Sequence, residues 1–354
     1  MYAQRRAGIL AVASVALFLL APAVSLATAA PVAHGAVTHP STSAYNRHGD
    51  LLITDQFNNR VIEVNPLTNA IVWSYGSNNV SLCNPGPHSV IAPNDAERLA
   101  GGLTLIAGTG TGSCADNRVL VVDQSGNTVW QYGKAGKTGN TSNLLNVPVF
   151  AIQLPNHDIL ITDQGNNRII EVNLAKKIVW SYGPTGGPGA LNAPNSAELL
   201  ANGHVLIADE LGNRVIEVNH AGKIVWQYSA GLNIVAFASR LPNGNTLIAD
   251  AGNSRVVEVS GTNTTVWQYV TNSSVGSNSA PQPTGAIRLP GGYTVIADQF
   301  NNRVIVVNDS TGVITYQYGV TNVTGNGYDQ LNAPYSANVV GSYLGQTHPP
   351  AKFH

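Results

Sequence analysis

"LNAPNSAELLANGHVLIADELGNRVIEVNHAGKIVWQY" spans residues 191–228. It holds four short runs rich in Val, Ile, Leu, Trp and Tyr: "SAELL" at 196–200, "HVLIAD" at 204–209, "RVIEV" at 214–218 and "KIVWQY" at 223–228. The gaps between them, "ANG", "ELGN" and "NHAG", carry the Gly and Asn that tight turns require. Runs of this length, composition and punctuation predict four strands joined as a meander.

The phrase returns along the chain. "LITDQFNNRVIEV" (52–64), "LITDQGNNRIIEV" (160–172), "LIADAGNSRVVEV" (247–259) and "VIADQFNNRVIVV" (295–307) are near copies, and "LIAGTGTGSCADNRVLVV" (105–122) is an altered one. The repeated Arg falls at Arg60, Arg118, Arg168, Arg214, Arg255 and Arg303. An aromatic follows each: Trp73, Trp130, Trp180, Trp226, Trp267 and Tyr316. A period of about 50 residues marks a repeat architecture rather than one catalytic centre. A lone four-stranded meander cannot bury both faces, but six packed round an axis can. The expected fold is an all-β six-bladed propeller of four-stranded antiparallel blades, with the Trp residues filling the wedges between blades. No convincing helical period appears after residue 36.

Closure raises a choice. "YSANVVGSYL" at 335–344 and "SAYNRHGD" at 43–50 both align with the first strand of the first blade. The C-terminal one is expected to pair with "LLITD" and close the ring. If it stayed unpaired, it would join a neighbouring molecule, giving self-assembly by strand addition.

The pattern Pro-x-x-Ala, Asn-Gly, Ile-Ala-Asp, Asn-x-Arg-Val resembles the NHL repeat over about residues 40–342, most fully at 191–218. The added "GKIVWQY" at 222–228 is also similar to repeats of arylsulfotransferase-like propellers. Such propellers serve as binding modules, lyases, lactonases and transferases, so the resemblance implies a fold more than an activity.

Within each repeat Asp55, Asp163, Asp209, Asp250 and Asp298 close the second strand, and the matching Arg opens the third. A bidentate carboxylate–guanidinium pair across the turn is expected, with the intervening Asn bonding its own backbone or taking a left-handed conformation. The second repeat has Gly108 in place of Asp, with Asp116 as the candidate substitute. Cys83 and Cys114, the only cysteines, are expected to form one disulfide; two free thiols are the alternative. The sixth repeat has Tyr316 for Trp, and Val306 where four others have Glu63, Glu171, Glu217 and Glu258.

The chain has 354 residues, a net charge of -1 and 10% charged residues. Without clustered Lys and Arg it is not expected to bind nucleic acid. Arg5 and Arg6 precede an apolar run ending near "ATAAP". This predicts a signal peptide or a retained membrane anchor over 1–30. A lead-in at 31–42, the propeller at 43–344 and a tail at 345–354 follow. The protein is expected outside the cell or at its surface, touching a membrane only through an uncleaved N-terminal segment. Sequons at Asn79, Asn140, Asn263, Asn272, Asn308 and Asn322 are glycosylation candidates.

Function is sought where the repeats differ. The segments leading into the innermost strands vary at Asn94–Asp95, Val149–Phe150, Asn195–Ser196, Ala236–Phe237, Thr284–Gly285 and Tyr335–Ser336, which fits a recognition rim and equally an unused surface. Arg98, Arg240 and Arg288 on the inner strands, with His88 in the long first loop, are the candidate ligand-binding residues; the alternative is that the three Arg pair with Glu97 and Glu198 and only keep the axis wet. No His pair has metal-ligand spacing, and no nucleophile motif or phosphate loop is present. No catalytic residue, metal or cofactor is assigned. The reading is an exported binding or structural/assembly propeller with a protein or glycan partner. The alternative is an extracellular arylsulfotransferase-like enzyme, in which the three Arg hold an anion and His88 reaches them if the 76–94 loop folds over the axis.

Overall fold

The computed structural model describes residues 45–342 and 347–353. The N-terminal segment 1–30 and the lead-in 31–42 lie outside the described residues. Twenty-four strands form six four-stranded antiparallel sheets. The architecture is the expected six-bladed propeller, and no α-helix occurs among the described residues. Among these residues no helix is long and apolar enough to cross a membrane.

Blade 4 shows why these residues make strands. Its strands run Pro194–Leu199, Val205–Asp209, Arg214–Val218 and Ile224–Tyr228. Neighbours along a strand point to opposite faces. Val205 and Ile207 therefore enter the core shared with blade 3, while Leu206 and Ala208 enter the core shared with blade 5. Both faces of the blade are buried, so the second strand is apolar without alternation. The fourth strand carries a bulge where Glu217 faces Trp226 and Val218 faces Ile224.

The first strands line the axis: Pro93–Arg98, Pro148–Gln153, Pro194–Leu199, Val235–Arg240, Pro283–Leu289 and Pro334–Val339 in blades 2 to 6 and then 1. Each has Ala at its fourth position, namely Ala96, Ala151, Ala197, Ala238, Ala286 and Ala337, all buried. A small side chain there lets six strands converge. Pro334–Val339 pairs with Leu51–Asp55 and closes blade 1 from the C-terminal end, as expected. The strand that would have served a neighbour is thus used inside its own ring. The rival segment is displaced: Gly49 donates to the Val340 carbonyl, Val340 to that of Asp50, and Tyr45 packs against Trp73.

The Asp–Arg turn differs from the expected bidentate pair in five blades. Arg Nε donates to one carboxylate oxygen, as in Arg60 to Asp55 Oδ2 at 2.7 Å. In four of the five the other oxygen takes a backbone N–H of the loop entering the blade, from Asn332 to Asp55, Asn146 to Asp163, Asn192 to Asp209 and Asn233 to Asp250, whereas Oδ1 of Asp298 has no partner. The rest of the guanidinium donates to carbonyls of that same loop, such as Asn140 and Pro188. The unit is a loop anchor as well as a turn lock. Only Asp116–Arg118 in blade 2 uses two oxygens.

The residue before each Arg is left-handed, an Asn in five blades, as at Asn59, Asn167 and Asn302, and Ser254 in blade 5. The Asn side chain bonds the next blade rather than its own backbone. Oδ1 of Asn59, Asn117, Asn167, Asn213 and Asn302 accepts from Ala92, Val147, Ala193, Ile234 and Ala333. Those acceptor-bound residues are themselves left-handed, a conformation costly for Val and Ile. The repeated bond holds it in place.

Cys83 and Cys114 are disulfide-bonded. The link ties the loop between blades 1 and 2 to the lengthened hairpin of blade 2, whose strands are Thr104–Thr111 and Cys114–Val122.

Candidate functional site

The upper face is where the chain enters each first strand and turns from second to third strand. The residue after the repeated Asp points here toward the axis. Gln299 donates to Gln56 Oε1 at 3.0 Å, and Gln56 donates to Asn94 Oδ1 at 2.7 Å. On the other side Gln164 and Asn195 donate to Glu210 Oε2 at 2.8 and 2.6 Å. Asn195 also donates to the Tyr335 hydroxyl at 2.6 Å, joining blade 4 to blade 1 across the ring. Two arcs of amides thus frame the mouth of the axial channel. Burial pushes the Glu210 carboxyl above its usual range, against the pull of its two amide donors.

Below this frame lies a small, partly open cavity with room for only about one or two water molecules. Asn94, Asp95, Val149, Phe150, Ala236, Phe237, Thr284, Gly285, Tyr335 and Ser336 line it. Ten of the twelve rim positions expected from the sequence are therefore together, and Asn195 braces the eleventh contact through Tyr335. Phe150 and Phe237 face each other with centroids 6.0 Å apart. One side of the cavity is apolar and the other carries carboxyl, amide and hydroxyl groups.

Two buried acids face the axis from blade 2. Asp95 accepts from the Ala151 amide at 3.3 Å, and Glu97 from the Gln153 amide at 3.1 Å. They satisfy N–H groups on the open inner edge of blade 3. Ser196 and Glu198 do the same for Ala238 and Arg240. Burial raises Asp95 to about 7 and Glu97 to about 8. Oδ1 of Asp95 has no hydrogen-bond partner.

The candidate Arg residues do not meet in this cavity. Arg98 of blade 2 pairs with Glu63 of blade 1 at 2.5 Å, Arg240 of blade 5 with Glu217 of blade 4 at 2.9 Å, and Arg288 of blade 6 with Glu258 of blade 5 at 2.7 Å. Each also lies over an indole of the preceding blade: Trp73, Trp226 or Trp267, at 4.8, 4.8 and 4.5 Å. These are clamps across blade seams near the lower face. His88 is exposed beside Gly126 and lines neither this cavity nor the smaller one next to Arg98. Among the described residues no group of three His, Cys, Asp or Glu is placed to hold a metal. Of the sequons, Asn79, Asn140, Asn263, Asn272 and Asn322 are exposed and Asn308 is half-buried.

Sequence reasoning missed the amide frame and the Glu partners of the three Arg. The first had a signal in the varying residue after each repeated Asp. The second had one in the pairing of Glu in one repeat with Arg in the next.

Residues 115–330 match the family described as outer membrane protein assembly factor BamB. The chain belongs to this family. The NHL resemblance named a propeller repeat, and the propeller architecture is what the family match and the structure support in common. A solved protein of unknown function from Bacteroides caccae is 15% identical, with 84% of this chain and 100% of that chain covered and a TM-score of 0.62. That likeness is one of fold. A streptogramin B lyase is 17% identical over 71% of this chain and 73% of its own, with a TM-score of 0.49. Virginiamycin B lyase from Staphylococcus aureus is 14% identical over 64% and 69%, with a TM-score of 0.46. No curated protein matches the chain.

Proposed function

We propose that this protein is an exported binding propeller that docks a protein partner on its upper face in a structural or assembly role. The observation that carries the reading is the mouth itself. A frame of amides built from Gln56, Gln164, Gln299, Asn94 and Asn195, bonded to one another and to Glu210, gives the mouth a polar lining, and large apolar side chains stand exposed on the same face. Phe57, Val80, Leu211, Val275, Val320 and Val323 all sit in upper-face loops and turns. Apolar anchors rimmed by polar groups suit protein recognition. The family's assembly-factor description supports the same reading. Export rests on the N-terminal segment 1–30, and the disulfide suits an oxidising compartment.

The arylsulfotransferase-like alternative needs free guanidiniums beside a His. Here Arg98, Arg240 and Arg288 each serve a separate seam, and no observation favours that chemistry.

The test is capture from native cell-envelope extract with the full exported chain, comparing wild type with Phe57→Asp/Leu211→Asp. Both side chains are exposed, so the fold is retained. A partner protein captured by wild type and weakened at least tenfold in the variant supports the reading. Equal capture by both proteins overturns it.

A further inference from the structure

The clamp residues follow a rule from seam to seam. Seams 1/2, 4/5 and 5/6 have both Glu and Arg: Glu63–Arg98, Glu217–Arg240 and Glu258–Arg288. Two others have lost both. Seam 2/3 carries Val121 and Gln153 at these positions, and seam 6/1 carries Val306 and Val339. Seam 3/4 alone keeps half. Glu171 and Trp180 are present in blade 3, facing each other in register, but Leu199 of blade 4 stands where the Arg should be.

The oxygens divide their work in a constant way. Oε1 is held by the blade's own lower turn: Asn46 N–H on Glu63, Asn202 and His204 on Glu217, Asn243 and Asn245 on Glu258. Oε2 takes the guanidinium. In Glu171, Oε1 accepts from Asn156 at 2.9 Å, as the pattern requires. No donor among the described residues reaches its Oε2, and Glu171 forms no ion pair. The site is more anionic than its sisters as well. Asp158 occupies the place of His204 and Asn245, so a second carboxylate stands where the others have a donor. Burial pushes the Glu171 carboxyl up, and Asp158 beside it pushes the same way. His220 is exposed and stacks on Trp180 with centroids 6.0 Å apart, without an ion pair to Glu171. Thr347 of the tail donates to the Leu199 carbonyl nearby.

A half-buried carboxylate pair against an indole face, with no ion-paired cation and only the exposed His220 ring nearby, is an unfavourable arrangement in isolation. The same indole and carboxylate geometry holds a guanidinium at three other seams of this molecule, where cation–π attraction and a charge-assisted hydrogen bond act together. We propose that seam 3/4 is a receptor slot for an Arg side chain of a protein partner, which enters between Trp180 and Glu171 and supplies the cation that Leu199, packed against the core, does not. The slot lies on the lower face, apart from the docking surface proposed above, and does not depend on it.

Titration of the full exported chain with N-acetyl-arginine amide, followed by NMR at the Trp180 indole N–H, tests this. The neutral isostere N-acetyl-citrulline amide, N-acetyl-lysine amide and calcium serve as controls. The arginine amide is expected to shift Trp180 and the other probes to shift it less. Glu171→Gln and Asp158→Asn should each weaken binding about five- to tenfold. Leu199→Arg should fill the slot from within, raising Tm and abolishing the titration. A Trp180 signal unmoved by the arginine amide overturns the proposal. So does equal or stronger response to citrulline amide, lysine amide or calcium, or binding that survives Leu199→Arg in a protein whose Tm has risen.

Discussion

Asp116 occupies the space that a side chain on Gly108 would need: a Cβ built there would stand 2.8 Å from the Asp116 Cγ. The carboxylate missing from the second strand of blade 2 has been supplied from the third strand. There it binds Arg118 and accepts from the Ile91 amide at 2.7 Å. The glycine is the vacancy that lets it in. Gly108→Ala is therefore expected to destabilise by about 1–3 kcal/mol through overpacking. Asp116→Ala, which leaves the buried Arg118 unpaired, is expected to cost about 3–5 kcal/mol. Urea unfolding of the two variants checks the order. Equal stability of Gly108→Ala and wild type would show that the carboxylate is not confined there.

The Cys83–Cys114 link closes a separation of 31 residues. Loop-entropy reasoning places its contribution at about 3–4 kcal/mol. Cys83→Ser/Cys114→Ser should lower Tm by several degrees and render the 77–92 loop sensitive to protease. A non-reduced digest of wild type should contain the two peptides joined; free thiols at both positions would refute the pairing.

Four indoles donate across a seam: Trp73 to the Gln124 carbonyl, Trp130 to Leu174, Trp180 to His220 and Trp267 to Asp309, at 2.8 to 3.0 Å. The buried Trp226 Nε1 has no partner. Trp226 and Trp267 both lie beneath an Arg, which makes them a matched pair. Trp267→Phe should lose about 1 kcal/mol more than Trp226→Phe, the net worth of one hydrogen bond. Chemical denaturation of both variants decides this, and equal losses would count against a role for the indole N–H.

Asp95 and Glu97 sit above their ordinary carboxyl range, at about 7 and about 8, chiefly through burial. A folded-state pKa above the unfolded value means that the native state binds protons more tightly. The stability these groups contribute is full below about pH 4 and is lost as pH rises through 7 to 8. Asp95→Asn/Glu97→Gln should remove this slope, so its Tm relative to wild type should rise between pH 5 and pH 8. A Tm difference constant over that range would show that neither group titrates there.

The blades and their order were legible because each repeat must form the same four strands and bury the same two faces. Local spacing carries that information: the Asp and Arg five residues apart in five repeats, the Gly and Asn in the turns, and the Trp or Tyr that follows each Arg by twelve or thirteen residues. The Cys83–Cys114 link and the replacement of Asp by Asp116 were also within reach, since both involve the altered second repeat and the loop that leads into it. Even the rim was readable, because every first strand brings its variable positions to one axis.

What only the tertiary structure decided is how residues from different repeats share partners. Arg98, Arg240 and Arg288 look alike in sequence to groups that would line a channel. Adjacent strand positions point opposite ways, however, so these three turn into seams, where Glu63, Glu217 and Glu258 wait on the neighbouring blade. The Gln residues after the repeated Asp show no common role until closure of the ring places Gln299 against Gln56 and Gln164 against Glu210. Repeat spacing specifies a blade through local hydrogen bonding and burial. Contacts between blades depend on rotation about the axis, which no single repeat contains.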